Sequence, residues 1–278
     1  MSFTVVVDSC CDLPASMRES GIFKTVPLTI HVGNRVFTDD ESLRQKELLS
    51  AMQTCPVAPH TSCPSPASYL DAFEAAEGDI YVVTLSALLS GSHNSARQAA
   101  SLFLENHPER RIYVFNSCSA SAGEVLLALK IKELAGSGLP FSEVVRRGDH
   151  FIAEMKTLFI LENLDNLKKN GRLTRVQAAL TGALHIKLLM GATPEGEICK
   201  RGQALSVKQG LSKLVQLMRA DEGHPGKTLC IAHCNCSERA EELRMLVLKN
   251  CDFKDVFLCR THGISTVYAN EGGIVCAY

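Results

Sequence analysis

The chain has no tryptophan, and aromatic residues make up only 6% of its 278 positions. The core must therefore come from Leu, Val, Ile and Ala. Charge of one sign is not in excess either: 29 Lys and Arg stand against 30 Asp and Glu, a formal net charge of −1. That argues against nucleic acid or an acidic membrane as partner, since both call for a basic stripe. No uncharged apolar run approaches the ~20 residues of a membrane span. The amino terminus, MSFTVVVDSC, lacks the basic region of a signal peptide. These absences predict a cytoplasmic protein without an integral membrane segment, read here as a monomer. C-x-x-C, G-x-G-x-x-G and G-x-S-x-G are also missing. Their absence leaves a zinc ribbon, a dinucleotide cofactor and a nucleophile elbow unsupported.

Cysteine, by contrast, is plentiful, at twelve. A chain of this length builds a core without disulfides, and Cys230, Cys259 and Cys276 lie in apolar, strand-like runs. Reduced cysteines acting as small hydrophobes are the expectation. His233, Cys234 and Cys236 make half of a zinc site and no more, so no metal is expected. GHPGKT (223–228) imitates a phosphate loop, but it has two residues between its glycines instead of four and a strand follows it. It reads as a turn.

The predicted class is α/β in two domains, residues 1–155 and 156–278, divided near Met155. The first half alternates strand and helix. Strands are expected at Phe3–Asp8, at Phe23–Val32 with Arg35–Phe37 as a hairpin about Gly33-Asn34, at Ile80–Thr84 and at Arg111–Phe115. Helices are expected over Ser42–Gln53, Ala67–Ala76, Asn94–Asn106 and Gly123–Ala135. The four prolines of CPVAPHTSCPSP (55–66) predict an irregular loop. This rhythm gives a parallel sheet flanked by helices. The second half gives strands at Lys156–Leu161, His185–Met190, Glu197–Gln203, Thr228–Ala232, Asp255–Cys259 and Gly273–Ala277. Its helices are Leu164–Asn170, Thr174–Leu184, Val207–Arg219 and Glu238–Leu248. That pattern suits a mixed or antiparallel sheet with helices on one face.

Hydroxyl-rich loops follow the strands of the first half: Asp8-Ser9, Thr61-Ser62, Ser90-Gly91-Ser92-His93 and Asn116-Ser117. Ligands of open parallel sheets bind beyond such strand ends, and SGSHNSA opens a helix whose free N–H groups can hold an anion. Plain N-capping, with Ser92 as cap, explains the same residues. Lys168, Lys169, Arg172 and Arg175 likewise answer a helix C-terminal dipole. The residues alone describe a binder of a small anion in an α/β crevice.

Five segments carry a resemblance along the whole chain. TSCPSP (61–66), LSALLSGSHNSA (85–96), NSCSASAG (116–123), LDNLKKNGRLT (164–174) and HIKLLM (185–190) are similar in order and spacing to the TS-x-PSP, LSS-x-LSGTYQSA, DS-x-S-x-S-x-G, L-x-x-LKKGGRI and NIKPIL segments of the DegV family. The resemblance implies a protein that binds one long-chain fatty acid in a tunnel between two α/β domains, with no other cofactor and no enzymatic activity of its own. It also implies a separate fatty-acid kinase, which takes the presented carboxylate. Carried over residue by residue, it makes Thr61 a donor to the carboxylate. Ser62, Ser90, Gly91, Ser92 and His93 become the rest of the cradle, and Arg172 and Arg201 candidates for docking the kinase. The chain departs from the pattern at His93, where many relatives have Tyr, at Asn116 for Asp and at Leu188 for Pro. The rival reading is a hydrolase or phosphotransferase acting on a small acid through Ser90 and His93.

Overall fold

The computed structural model describes residues 2–18, 21–176 and 186–278. Strand β1 (Phe3–Asp8) is apolar on both faces, as a central parallel strand requires. It pairs in parallel with β2 (Phe23–Val26) on one side and β6 (Asp79–Thr84) on the other, and β7 (Ile112–Asn116) pairs with β6. The order β2-β1-β6-β7 reverses direction between β1 and β6, so a crevice opens there beyond the strand ends.

The expected strand Phe23–Val32 is two strands. Pro27 interrupts it, and the second piece, β3 (Thr29–Val32), leaves the parallel sheet to pair with β4 (Arg35–Thr38). The proline-rich loop is also not wholly irregular: β5 (His60–Ser62) pairs antiparallel with β3. Pro59 precedes this short edge strand and Pro64 follows it, so neither removes a donor the ladder needs.

Helices cover both faces of the parallel sheet. Val6, Ile80 and Val82 pack on α3 (Pro66–Glu74) and α4 (Ser92–Asn106). Val5, Val7, Tyr81, Val83 and Phe115 pack on α5 (Ala122–Gly136) and α6 (Phe141–Glu154). The sequence reading passed over α6, although Val144, Val145, Phe151 and Ile152 recur at helical spacing. Two short helices complete this half, α1 (Ala15–Arg18) behind Pro14 and α2 (Gln45–Thr54).

The second sheet is mixed, with order β10-β9-β8-β13-β11-β12. Its strands are β8 (Thr157–Ile160), β9 (Lys187–Ala192), β10 (Ile198–Ala204), β11 (Thr228–His233), β12 (Asp255–Arg260) and β13 (Ile274–Ala277). Leu158, Ile160, Leu229, Ile231 and Ile274 face α8 (Val207–Ala220) and α9 (Ser237–Asn250). The other face is not bare. Cys230, Ala232, Cys259 and Ala277 pack on α5, which the first sheet also uses. That sharing explains why α5 is apolar nearly all round, with Ala122 to Ala128, Ile131 and Leu134 buried. The remainder of this inner face meets α7 (Asp165–Lys169) and α10 (Gly263–Ala269). Thr174–Val176 is a 3₁₀ turn, and the rest of the helix expected there lies outside the described residues. All twelve cysteines are free thiols.

Candidate functional site

The crevice at the β1/β6 switch point is closed over by the second sheet, and a cavity lies between them. Its atom-free space, counted out through the open mouth, is about 760 Å³. Loops after β1, β6 and β7 supply Cys10, Leu85, Leu89 and Cys118 to Ser121. The second sheet supplies Thr157, Phe159, Leu161, Gly191, Ala192, Gly196, Glu197, Ile198 and Val275, and α10 supplies Ile264, Ser265, Tyr268 and Ala269. Leu167 and Arg172 complete the wall.

Most wall hydroxyls are turned into the protein. Ser119 Oγ and Thr157 Oγ1 bond each other at 2.7 Å, Ser121 Oγ donates to Asp12 Oδ2 at 2.5 Å, and Ser265 Oγ donates to the Cys10 carbonyl at 3.4 Å. The surface left to a guest is apolar. Arg172 and Glu197 are the charged residues of the wall. Gly171, with φ of +76°, stands just past α7; its N–H donates to the Lys168 carbonyl, and the Arg172 N–H donates to Leu167. That pair of bonds reverses the chain. The Arg172 side chain turns inward: Nε donates to the Leu89 carbonyl at 3.3 Å and Nη1 to the Asn170 carbonyl at 2.5 Å. Its guanidinium lies 5.6 Å from the centre of the Tyr268 ring. Tyr268 Oη is 2.8 Å from Thr61 Oγ1 on β5.

The structure thus brings Thr61 and Arg172 together through Tyr268. Ser90, Gly91 and Ser92 follow Leu89, which lines the cavity, but they do not line it themselves. Gly91 occupies the N-cap of α4, one position before the expected cap, and Ser90 Oγ accepts the Ser92 N–H at 3.2 Å. Ser92 is fully buried; its hydroxyl donates to Asp8 Oδ2 at 2.6 Å and lies 2.7 Å from Tyr69 Oη. Asp8 also accepts from Leu85 N and Cys10 N, and burial raises its pKa against those bonds. Beside it, burial and the Asp8 charge push the Glu124 carboxyl well above its ordinary range.

Ser62 is exposed on the opposite face of β5 from Thr61. His93 faces a separate surface groove with Arg97 and Asp149. Its Nδ1 is 3.1 Å from Thr84 Oγ1, and burial with the Arg97 charge lowers its pKa. No hydrogen bond joins Ser90 to His93 among the described residues, so Ser90 has no base there to activate it. Arg201 is the extra residue of a β-bulge in β10, exposed, with Nη2 on the Ala192 carbonyl at 2.7 Å. His233 Nδ1 accepts the Cys236 N–H at 3.3 Å, a local turn. No group of three potential metal ligands occurs among the described residues.

Sequence reasoning missed Tyr268 because it missed α10. Ser, Thr, Val and Tyr fill most of that seven-residue helix and favour strand or turn. The available signal was Ile264, Val267 and Tyr268 at i, i+3 and i+4.

The comparisons with known proteins agree along the whole chain. A family model described as "Uncharacterised protein, DegV family" matches residues 2–278. A DegV domain-containing protein of Streptococcus pneumoniae is 35% identical, covering 100% of this chain and 99% of its own. Among solved structures, a DegV family protein from Ruminococcus gnavus, refined with vaccenic acid, superposes with a TM-score of 0.96 at 46% identity, covering 100% of both chains. The Streptococcus pneumoniae Fatty Acid Kinase (Fak) B3 protein loaded with linoleic acid superposes with a TM-score of 0.91 at 34% identity, over 100% of this chain and 99% of its own.

Proposed function

The chain belongs to the DegV family, and on that premise we propose that it binds one long-chain fatty acid in the cavity and presents the carboxylate to a separate fatty-acid kinase. The acyl tail lies along the apolar wall between Phe159, Leu161, Leu85 and Ile264. The head group lies at the Thr61 and Arg172 end, beside the turn of Ser90, Gly91 and Ser92. The observation that carries this reading is a largely apolar wall whose hydroxyls are mostly spent inward, with an arginine turned in at one end, in a fold whose solved relatives hold fatty acids.

Magnitudes divide the labour. About fourteen methylenes at ~0.8 kcal/mol each give roughly 11 kcal/mol, against about 4–15 kcal/mol for lost freedom on association. A charge-assisted hydrogen bond adds ~1.5–3 kcal/mol. Tail burial sets affinity, and the polar end sets which way round the acid lies. The protein acts as a carrier and substrate-presenting subunit; Arg172 and Arg201 are the residues offered to the kinase.

Native mass spectrometry of the purified protein, before and after delipidation, tests the reading. One fatty-acid-sized adduct that is lost on delipidation and regained with added fatty acid supports it. A protein that stays empty with fatty acid in excess, or that hydrolyses acyl esters, overturns it.

A further inference from the structure

We propose that Asn170 is a positioning residue that aims Arg172 for the transfer of a phosphoryl group to the bound acid, an inference that rests on the fatty-acid and kinase reading above. Helix α7 spans only Asp165–Lys169, and a single helical turn is not stable in water by itself. A groove separates its outer side from the first half, with Pro56 to Pro59 on one bank and Asp165, Asn166 and Lys169 on the other. Leu167 and Leu173 are buried on either side of the turn that carries Arg172. Apolar burial is non-directional, so aiming a guanidinium takes hydrogen bonds.

Asn170, the C-cap of α7, supplies them from both its side chain and its backbone. Both protons of its Nδ2 are used: one goes to the Pro59 carbonyl at 3.0 Å and the other to the Asn166 carbonyl at 2.8 Å. Pro59 leads directly into β5. Asn166 in turn donates to the Val267 carbonyl of α10 at 2.7 Å, so the turn is pinned to two elements. The Asn170 carbonyl then accepts Arg172 Nη1 at 2.5 Å. The other bond to the guanidinium, from Nε to the Leu89 carbonyl, is 3.3 Å, beyond the usual range of roughly 2.7–3.2 Å. The shorter hold on Arg172 therefore comes from a residue that is itself tied to β5. The L-x-x-LKKGGRI segment that this stretch resembles has glycine at the same place, which has no amide to give.

Direction matters because of what the guanidinium meets. In the transfer a carboxylate oxygen bonds to the terminal phosphorus of a nucleoside triphosphate. The bond from that phosphorus to the bridging oxygen breaks, and the diphosphate leaves with the electron pair; the carboxylate has no proton to lose. Charge is spread over the oxygens of the transferred group, and a cation fixed in advance stabilises it without reorganising. A misplacement of about 1 Å can cost on the order of 100-fold in rate. Asn170 does not line the cavity, so it acts through Arg172 and not on the acid.

The test is a double-mutant cycle. The parent, Asn170→Ala, Arg172→Ala and the double variant are each loaded with palmitic acid, with loading checked by native mass spectrometry. Each is then given to the fatty-acid kinase of the same organism with ATP, and acyl phosphate is measured over a range of carrier concentrations. Asn170→Ala should lower kcat about threefold to tenfold, with KM and palmitic-acid loading changed by less than about twofold. Asn170→Asp, the same size without the donor protons, should lose at least as much. With Arg172 already replaced, Asn170→Ala should change kcat by less than about twofold, because its effect passes through the guanidinium. A parental kcat in Asn170→Ala or Asn170→Asp, a loss that appears only as poorer loading, or losses that multiply in the double variant each overturn the assignment. If the loaded parent gives no acyl phosphate, or Arg172→Ala turns over normally, the kinase reading fails and takes this inference with it. If those two controls behave and only the Asn170 pattern fails, the failure belongs to Asn170 alone.

Discussion

Removing the Asp39 carboxylate should loosen the wall of the cavity from a distance. Asp39 is 2% exposed and follows β4, yet its Oδ1 accepts the Gly263 N–H at 2.7 Å and its Oδ2 the Ile264 N–H at 2.9 Å. These are first-turn donors of α10, which no residue of the helix can satisfy. Asp39→Ala leaves both unpaired in a buried place, at about 1–3 kcal/mol each and so about 2–6 kcal/mol in all. At roughly 2 °C per kcal/mol for a chain of this size, the melting temperature should drop by about 4–12 °C. Because α10 carries Ile264, Ser265, Tyr268 and Ala269 into the cavity, fatty-acid affinity should fall as well. Differential scanning calorimetry of delipidated protein reads the first effect, with Asp40→Ala as control. Asp40 is exposed, and among the described residues its carboxylate accepts hydrogen bonds from Ser42 alone, so its loss should cost under about 1 kcal/mol. An Asp39→Ala protein that melts within 2 °C of the Asp40→Ala control (an estimated margin) would refute the cap and its link to the cavity.

Three further outcomes follow from the same contacts. Burial raises Asp12 to about 7 from an ordinary 3.8, so the stability linked to its proton is fully present below the unfolded value and is lost as pH rises through about 7. Denaturant titrations should show the parent losing on the order of 2–3 kcal/mol more than Asp12→Asn between pH 5 and pH 8; parallel losses would count against it. Ser92→Ala takes a donor from buried Asp8 and a partner from Tyr69, and should cost about 2–4 kcal/mol of stability by the same titration; a neutral change would show the pair to be idle. Arg172→Ala should cut kinase-dependent acyl-phosphate formation at least tenfold, ~1.4 kcal/mol or more, and normal turnover in that assay would remove Arg172 from the presenting end.

The parts of the molecule legible in the sequence are those where periodicity and local chemistry agree. β1, β6 and α8 are examples, since their apolar spacing is dictated by the faces they bury. Gly171 was readable as the stop of α7 because only a residue tolerant of positive φ fits there. The direction of the Arg172 side chain was not, since it depends on a carbonyl 83 positions away. Ser92 shows the same limit. Its place at the start of α4 is local, but the partner that claims its proton, Asp8, comes from another strand. Helix α10 escaped because its stability comes from Asp39 and from packing rather than from its own residues.

Helix α5 gives one side to each sheet, and this limits how the protein can be handled. A chain cut near Met155 does not yield two portable modules. The carboxy-terminal fragment would lose the cover over Cys230, Ala232, Cys259 and Ala277, and the amino-terminal fragment would carry the naked side of α5. Each piece alone offers water an apolar strip that the other was built to hide. The two halves should therefore melt together in a single transition, stay insoluble when expressed apart, and regain solubility when co-expressed.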